Sequence, residues 1–380
     1  MKKKVVFLIR DLNYGGAQRQ LVTLLKGLKD YFDITLLYFY PGGGLEKDLN
    51  ESGVRSICLE KRQRWDVFGF FWRLVKYLRQ IQPDVLHGYL GESNLVAIFV
   101  KPFFTSTRIV WGIRESNTDP NLYGWLGRFL SQITPILSCF ADLIVVNSYA
   151  GKTYYITQGY PAKKMVVILN GIDVERFQPD PKAGAKVRKE WGISPDMILI
   201  GLVGRLAPMK DHPTFLRAAA LMCQERQNVR FVCVGIGPEN YAQELYRLTD
   251  ELDIGDRVIW AGARPDMPAV NNALDIACSS SSHGEGFANV IGEAMACGVP
   301  CAVTDNGDSR LIVGDTGMVV PLSNPQALFL SWMQILSSDR PQLSIMARQR
   351  IIDNFTTKKL HETTETVLRK IIENSELLDA

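Results

Sequence analysis

MILIGLVGRLAPMKDHPTFLRAAALMCQERQ, Met197–Gln227, holds a strand, a loop and a helix in that order. Its first residues form an apolar, β-branched run with no polar alternation, as expected of a strand buried on both faces of a parallel sheet. Gly204 ends the run, and Arg205 and Lys210 lie in the loop that follows. Asp211 is placed to cap a helix whose start Pro213 marks.

The same unit repeats outward from this stretch. RFVCVGIG, RVIWAG, DIACSS, PCAVTD and MVVPL follow as strands separated by helical patterns. KVVFLI, DITLLYF, DVLHGY, RIVWGI, DLIVVNS and MVVILN precede it in the same rhythm. Strands separated by helices of this length imply parallel sheets with right-handed crossovers. The 380 residues exceed one ordinary core. The rhythm breaks after Asn170, in the polar segment GIDVERFQPDPKAGAK (Gly171–Lys186) with Pro179 and Pro181, which reads as a linker. The expectation is an α/β chain of two doubly wound, Rossmann-like domains facing a cleft, 1–172 and 173–355. The helical region Pro325–Leu378 exceeds the needs of the second sheet, so 356–380 should pack back on the first domain.

Composition narrows the function classes. A net charge of +3 with 46% hydrophobic residues gives no acidic or basic tail, so any nucleic-acid or membrane contact rests on a local patch. The start MKKKVVFLIRDL resembles a secretory n-region, but Arg10 and Asp11 cut the apolar run short, and it reads as a first strand. No window has the roughly 18 apolar residues of a membrane-spanning helix. Seven cysteines without a CxxC pair fit a reducing cytosol. Four scattered histidines offer no metal-ligand spacing. HExxH, GxSxG and GxxxxGK[ST] are absent, and neither NYGGAQRQ nor VGIGPEN completes GxGxxG, which disfavours hydride transfer.

Chemistry gathers in HGEGFANVIGEAMACGVP, His283–Pro300. Glu285 follows the strand DIACSS and so falls at the carboxyl edge of the second sheet, where open α/β sheets bind ligands. Helical periodicity starts near Asn289 and stops at Gly298 and Pro300. GEGFAN is therefore a helix N-terminus, whose free N–H groups and dipole favour an anion. Glu293 lies a turn inside, and an ionised carboxylate only accepts hydrogen bonds, which suits sugar hydroxyls. Arg205 and Lys210 at a neighbouring strand end suit a diphosphate, with Arg forking onto oxygens and Lys as a point charge. Read alone, the two cations are equally a pair of solvated loop charges. Gly15 and Gly16, just before the first helix, let backbone approach a ligand closely.

Taken in order, EGFANVIGE, GRLAPMKD, VILNGID, ADLIVVNS, NYGGAQRQLV and EAMACGVPCAVTDNG resemble the retaining nucleotide-sugar glycosyltransferases of the GT-B fold, the large family 4. The similarity spans nearly the whole chain and is densest over Ala141–Val320. The resemblance implies that Glu285 holds the donor sugar and Glu293 the ribose. It puts Arg205 and Lys210 on the diphosphate, with Gly204, Gly286, Phe287, Ala288 and Asn289 beside it and Gly15 and Gly16 across the cleft. Arg264 would lie near the nucleobase. It also implies no metal or other cofactor, a nucleoside-diphosphate sugar (UDP-sugar favoured) as substrate, and a glycan or lipid-linked acceptor. The setting would be cell-surface polysaccharide, lipopolysaccharide or glycolipid assembly at the inner face of the cytoplasmic membrane.

One position departs from the family. VWGIRES places Arg114 where many relatives carry a histidine, with Glu115 and Ser116 beside it. Arg stays protonated and cannot be a base, so Arg114 is a candidate ligand for a donor or acceptor phosphate; Glu115 and His87, at a neighbouring strand end, are acceptor-side candidates, His87 being equally readable as a satisfied structural histidine. In the Asp66–Ile81 helix, Val67, Phe70, Phe71, Leu74, Leu78 and Ile81 form a core stripe, which leaves Phe68, Trp72 and Val75 on a flank near Arg79, Lys61, Arg62 and Arg64. An aromatic flank beside cations suits a membrane surface or a lipid-phosphate acceptor; a widely buried helix with solvated cations is the other reading. LYGWLGRFL, Leu122–Leu130, adds weight to the first. Two rivals share the fold: a nucleotide-sugar 2-epimerase, for which no acid/base pair stands out, and a catalytically silent binding subunit.

Overall fold

The computed structural model describes residues 2–63, 65–114 and 124–373, with only the backbone of 124–128. Arg64, Glu115, Ser116 and the start of LYGWLGRFL lie outside the described residues. The chain divides into two compact units, one running to Gly171 and resuming at Thr357, the other Ile172–Thr356.

In the first unit, β1 (Lys4–Ile9), β2 (Asp33–Tyr38), β3 (Arg55–Cys58), β4 (Val85–Tyr89), β5 (Arg108–Ile113), β6 (Leu143–Val146) and β7 (Met165–Val167) form a parallel sheet. Their order is β3-β2-β1-β4-β5-β6-β7. Alternate residues of β1 feed opposite cores: Val5, Phe7 and Ile9 pack with the Gly16–Leu28 helix, Val6 and Leu8 with the Val67–Ile81 helix. Burial on both faces is why these strands are continuous apolar runs. The C-terminal helix Thr357–Glu373 adds Leu360, Val367 and Leu368 to the first of these cores. Its His361 lies so close to Gly27 that a Cβ there would be 2.1 Å from the ring.

The second unit repeats the plan with β8 (Ile198–Val203), β9 (Val229–Val234), β10 (Val258–Gly262), β11 (Ile276–Ser279), β12 (Cys301–Thr304) and β13 (Met318–Val320), ordered β10-β9-β8-β11-β12-β13. Strand order reverses between β1 and β4 in one unit and between β8 and β11 in the other. At such switch points neighbouring crossovers leave on opposite faces and a crevice opens at the carboxyl ends. Ile172 and Thr356, the first and last residues of this unit, pair as a parallel bridge.

Two expectations are corrected. The segment read as a linker is partly helical: Asp180 accepts a hydrogen bond from the Ala183 N–H (3.0 Å) and caps the Pro181–Glu190 helix, while Phe177 is buried. Pro181 starts that helix, where a missing N–H costs nothing, so it punctuates without interrupting. In the Val67–Ile81 helix, Val75 belongs to the core and Val67 is exposed. Val75 lies only about 80° from Val67 around the helix, inside an apolar face wider than 100°, whereas Val67, in the first turn, lies at the end of that stripe.

Candidate active site

At the switch point of the second unit, the loop after β8 (Gly204–Asp211) meets the loop after β11 (Ser280–Ala288). The serine run Ser279–Ser282 stitches them together. Ser280 Oγ lies 2.8 and 3.0 Å from the carbonyl oxygens of Lys210 and Asp211, and the Ser282 N–H donates to Met209 O (2.9 Å). The Ser281 carbonyl in turn accepts from Thr304 Oγ1 (2.7 Å) and Asn306 Nδ2 (3.1 Å). Small hydroxyl side chains suit this place, because each satisfies backbone groups that a loop would otherwise bury unpaired.

The two loops converge on one contact. Lys210 Nζ forms an ion pair with Glu285 Oε1, and Ser281 Oγ donates to the same oxygen at 2.7 Å. The side chains are 15% and 10% exposed, so the pair is largely out of water. Breaking such a pair leaves a charge with little solvation and costs about 3–5 kcal/mol. The aliphatic stem of Lys210 lies over Gly204, where a Cβ would sit 3.4 Å from it.

Glycines fix the backbone beneath both side chains. Gly235 takes φ +150°, and a Cβ there would fall 2.0 Å from Gly204 O; one on Gly237 would fall 2.0 Å from Leu206 O. The two glycines that failed as a dinucleotide fingerprint thus support the Arg205 loop. Gly307, at φ +59°, packs on Glu285 and Gly286, where a Cβ would be 2.5 Å from Gly286 O. The Asp308 N–H donates to that carbonyl at 2.9 Å. Ser281, Gly235, Gly237 and Gly307 were not among the expected site residues. VGIG and VTDNG were the available signals.

Gly286, Phe287 and Ala288 lead into the Asn289–Ala296 helix, whose N-cap Ala288 supplies no side-chain hydrogen bond. The backbone N–H groups of its first turn are an anion-binding arrangement. Glu293 is buried in the second turn. Arg205 is exposed. His212 follows the capping Asp211 and has no hydrogen-bond partner on either ring nitrogen among the described residues; burial, then the neighbouring Lys210 charge, pushes its pKa down to about 4. The Arg264 guanidinium bonds Glu190 (3.0 Å to Oε2) and Asp266 (2.8 Å to each oxygen) and lies over Trp191. This fixes the loop after β10 to the Pro181–Glu190 helix.

In the first unit, Gly15 and Gly16 stand at the start of the helix after β1, Gly15 as an N-cap without a side chain. Arg114, just past β5, places its guanidinium 4.6 Å from the Tyr89 ring centroid. His87 does not reach solvent: it is 1% exposed, stacked on Phe7 (4.8 Å), with Nδ1 2.8 Å from Gly88 O. Burial and then Arg114 push its pKa down to about 3, so it stays neutral. Of its two readings, the structural histidine holds and the acceptor-side group does not. Phe68 and Trp72 are 82% and 59% exposed on the helix flank. Among the described residues, no group of three or more His, Cys, Asp or Glu could hold a metal, and no helix is long and apolar enough to cross a membrane.

Two parallel α/β units of this order, with glycine-rich loops and helix starts at their switch points, define the GT-B architecture. The structure of HepE from Anabaena in complex with UDP superposes with a TM-score of 0.85 over 97% of this chain and all of that one, at 21% identity, a likeness of fold. The model "Glycosyltransferase Family 4" matches residues 14–176 and the model "Glycosyl transferases group 1" residues 198–338, and the chain belongs to this glycosyltransferase family. It is 26% identical over 355 residues, 90% of its length and 92% of the relative's, to the N-acetylgalactosamine-N,N'-diacetylbacillosaminyl-diphospho-undecaprenol 4-alpha-N-acetylgalactosaminyltransferase of Campylobacter jejuni. It is 27% identical over 300 residues, 75% of each chain, to the UDP-Gal:alpha-D-GlcNAc-diphosphoundecaprenol alpha-1,3-galactosyltransferase of Escherichia coli.

Proposed function

We propose that the protein transfers a sugar, with retention and without a metal, from a nucleoside-diphosphate sugar to a hydroxyl of a lipid-linked glycan. A UDP-sugar is the favoured donor. The observation that carries this reading is the partly buried Lys210–Glu285 pair beside a helix start whose N-cap residue, Ala288, gives no side-chain hydrogen bond, at the switch point of the second unit. The two relatives, named as transferases acting on diphosphoundecaprenol-linked acceptors, support the acceptor class.

The chemistry follows from charge. As the anomeric C–O bond breaks, positive charge grows on the sugar ring and negative charge on the leaving diphosphate. Glu285 accepts hydrogen bonds from the sugar hydroxyls and lies on the side of the growing cation. Lys210, Arg205 and the N–H groups of the helix start lie on the side of the growing anion, and Glu293 accepts from the ribose hydroxyls. Fixed dipoles and charges of this kind act without reorganising, which is the largest single source of rate in such sites. Arg114, at a β5 end in the other unit, is proposed as a ligand for an acceptor phosphate.

The test is incubation with a panel of UDP-, GDP- and ADP-sugars, with and without polyprenyl-diphosphate glycans, following nucleoside diphosphate release and glycan mass. Release with one donor class and a single-sugar mass gain are expected, and Glu285→Ala should abolish both. An E285A protein that turns over like the parent would remove Glu285 from the site.

A further inference from the structure

The chain passes from one unit to the other twice, at Gly171–Ile172 and at Thr356–Thr357. In the first unit both passages are anchored on the Gly16–Leu28 helix. Gln20, one turn inside it and 8% exposed, turns its side-chain amide onto Gly171: Nε2 donates to Gly171 O at 2.9 Å, and the Gly171 N–H donates to Oε1 at 3.2 Å. The amide takes the place of a neighbouring strand and satisfies both backbone groups of a residue that lies past the end of β7. The second passage continues into the Thr357–Glu373 helix, where His361 Nε2 lies 3.0 Å from Thr23 O of the same Gly16–Leu28 helix.

In the second unit both passages rest on the Asn289–Ala296 helix. Ile172 is 2% exposed and lies on that helix at Gly292, where a Cβ would be 2.8 Å from Ile172 Cδ1. Phe355 sets its ring 5.5 Å from that of Phe287, in the loop that opens the helix. The passages also hold each other, since the Ile172 N–H donates to Phe355 O at 2.7 Å. Gln20 and Gly292 have no part in the chemistry of the donor site, yet each position constrains its residue type. An apolar side chain at position 20 would leave two backbone groups of Gly171 unpaired, and any side chain at position 292 would press on Ile172. Close-packed contacts of this kind transmit displacement rather than absorb it.

We infer that Gln20 is a positioning residue for donor binding: its amide pair with Gly171 ties the Gly16–Leu28 helix to the passage that rests on the Asn289–Ala296 helix, so a diphosphate that orders the start of the second helix also tightens the anchor of the first. The inference rests on the donor reading above and extends it to a residue outside the donor site. Such a coupling is reciprocal: the factor by which the ligand strengthens the anchor is the factor by which loss of the anchor weakens the ligand. Hydrogen exchange of the full chain over residues 168–173 and 285–293, with and without UDP, tests it beside a calorimetric UDP titration. UDP should slow exchange over both spans, by about five- to tenfold in the first. Uridine, which lacks the diphosphate, should leave 168–173 unchanged.

Gln20→Met keeps the length of the side chain and removes both hydrogen bonds, so it should weaken UDP binding by the same factor and abolish the effect of UDP on 168–173. Gln20→Glu keeps an acceptor for the Gly171 N–H and should fall between Q20M and the parent. Ile172→Val deletes the Cδ1 that lies on Gly292, a small change within the second unit, and should reduce the effect of UDP on 168–173 with Gln20 in place. A Q20M protein with a lowered melting temperature and the parent's UDP affinity would overturn the inference, because Gln20 would then be structural only. So would a parent in which UDP protects 285–293 and leaves 168–173 unmoved, an outcome that keeps the donor reading. If UDP, GDP and ADP all fail to slow exchange over 285–293, the donor reading falls and the inference with it.

Discussion

Replacing Lys210 with methionine keeps the stem over Gly204 but leaves the Glu285 carboxylate about one-tenth exposed, with its cation gone and Ser281 still donating to Oε1. Removing one partner of a largely buried ion pair costs about 3–5 kcal/mol. Glu285→Gln leaves Lys210 unpaired in turn, but its flexible stem can carry the ammonium to water, so a smaller loss is expected, about 1–2 kcal/mol by the scale for a lost charge-assisted hydrogen bond. Lys210→Met combined with Glu285→Gln removes both charges and should lie within about 1–2 kcal/mol of the parent, which gives a coupling of at least about 2 kcal/mol between the sites. Urea unfolding of the full chain, followed by fluorescence of the fully buried Trp332 in the same unit, measures each corner of the cycle. The double variant should fold like the parent and show no donor turnover, which separates the pair's structural role from its chemical one. Two single losses that simply add would refute the claim that the loops are joined by an ion pair.

Acid should weaken both units. His87 and His212 have folded pKa values of about 3 and about 4 against an unfolded 6.5, so the folded state resists the proton. Stability is then complete above pH 6.5 and falls by about 1.4 kcal/mol per pH unit for each histidine below it; urea midpoints at stepped pH should show this, and His87→Phe should flatten the slope of the first unit. Gly235→Ala must push a methyl against Gly204 O at an unfavourable φ, a strain of about 1–3 kcal/mol. Because the displaced backbone carries Arg205, kcat with the donor should fall further than the melting temperature suggests. Arg264→Gln frees the loop after β10 from the Pro181–Glu190 helix; a lowered melting temperature with donor KM changed less than threefold is expected, and the reverse pattern would return the guanidinium to the nucleobase.

What the sequence revealed was what is periodic or local. Strands buried on both faces announce themselves as apolar runs, and Gly298 with Pro300 ends a helix by backbone geometry alone. The Lys210–Glu285 contact joins residues 75 apart through two loops, and no local pattern encodes a pairing across a sheet edge. Gly235 and Gly237 were visible as glycines, but their purpose is a close approach to a different loop. Val75 was misplaced because periodicity gives an angle around the helix and not the width of the surface that covers it. Arg264 was legible as a residue beside the site, but not its ties: the acids that hold its guanidinium include Glu190, 74 residues away.

The return of the Thr357–Glu373 helix to the first unit has a consequence for synthesis. Residues 172–356 form one unbroken span that can fold as soon as it leaves the ribosome. The earlier unit has its seven strands by Val167 but receives Leu360, Val367 and Leu368 only after the whole 172–356 span has been made. During that interval the face of its sheet opposite the Val67–Ile81 helix is missing part of its cover, so of the two units the one begun earlier is completed later.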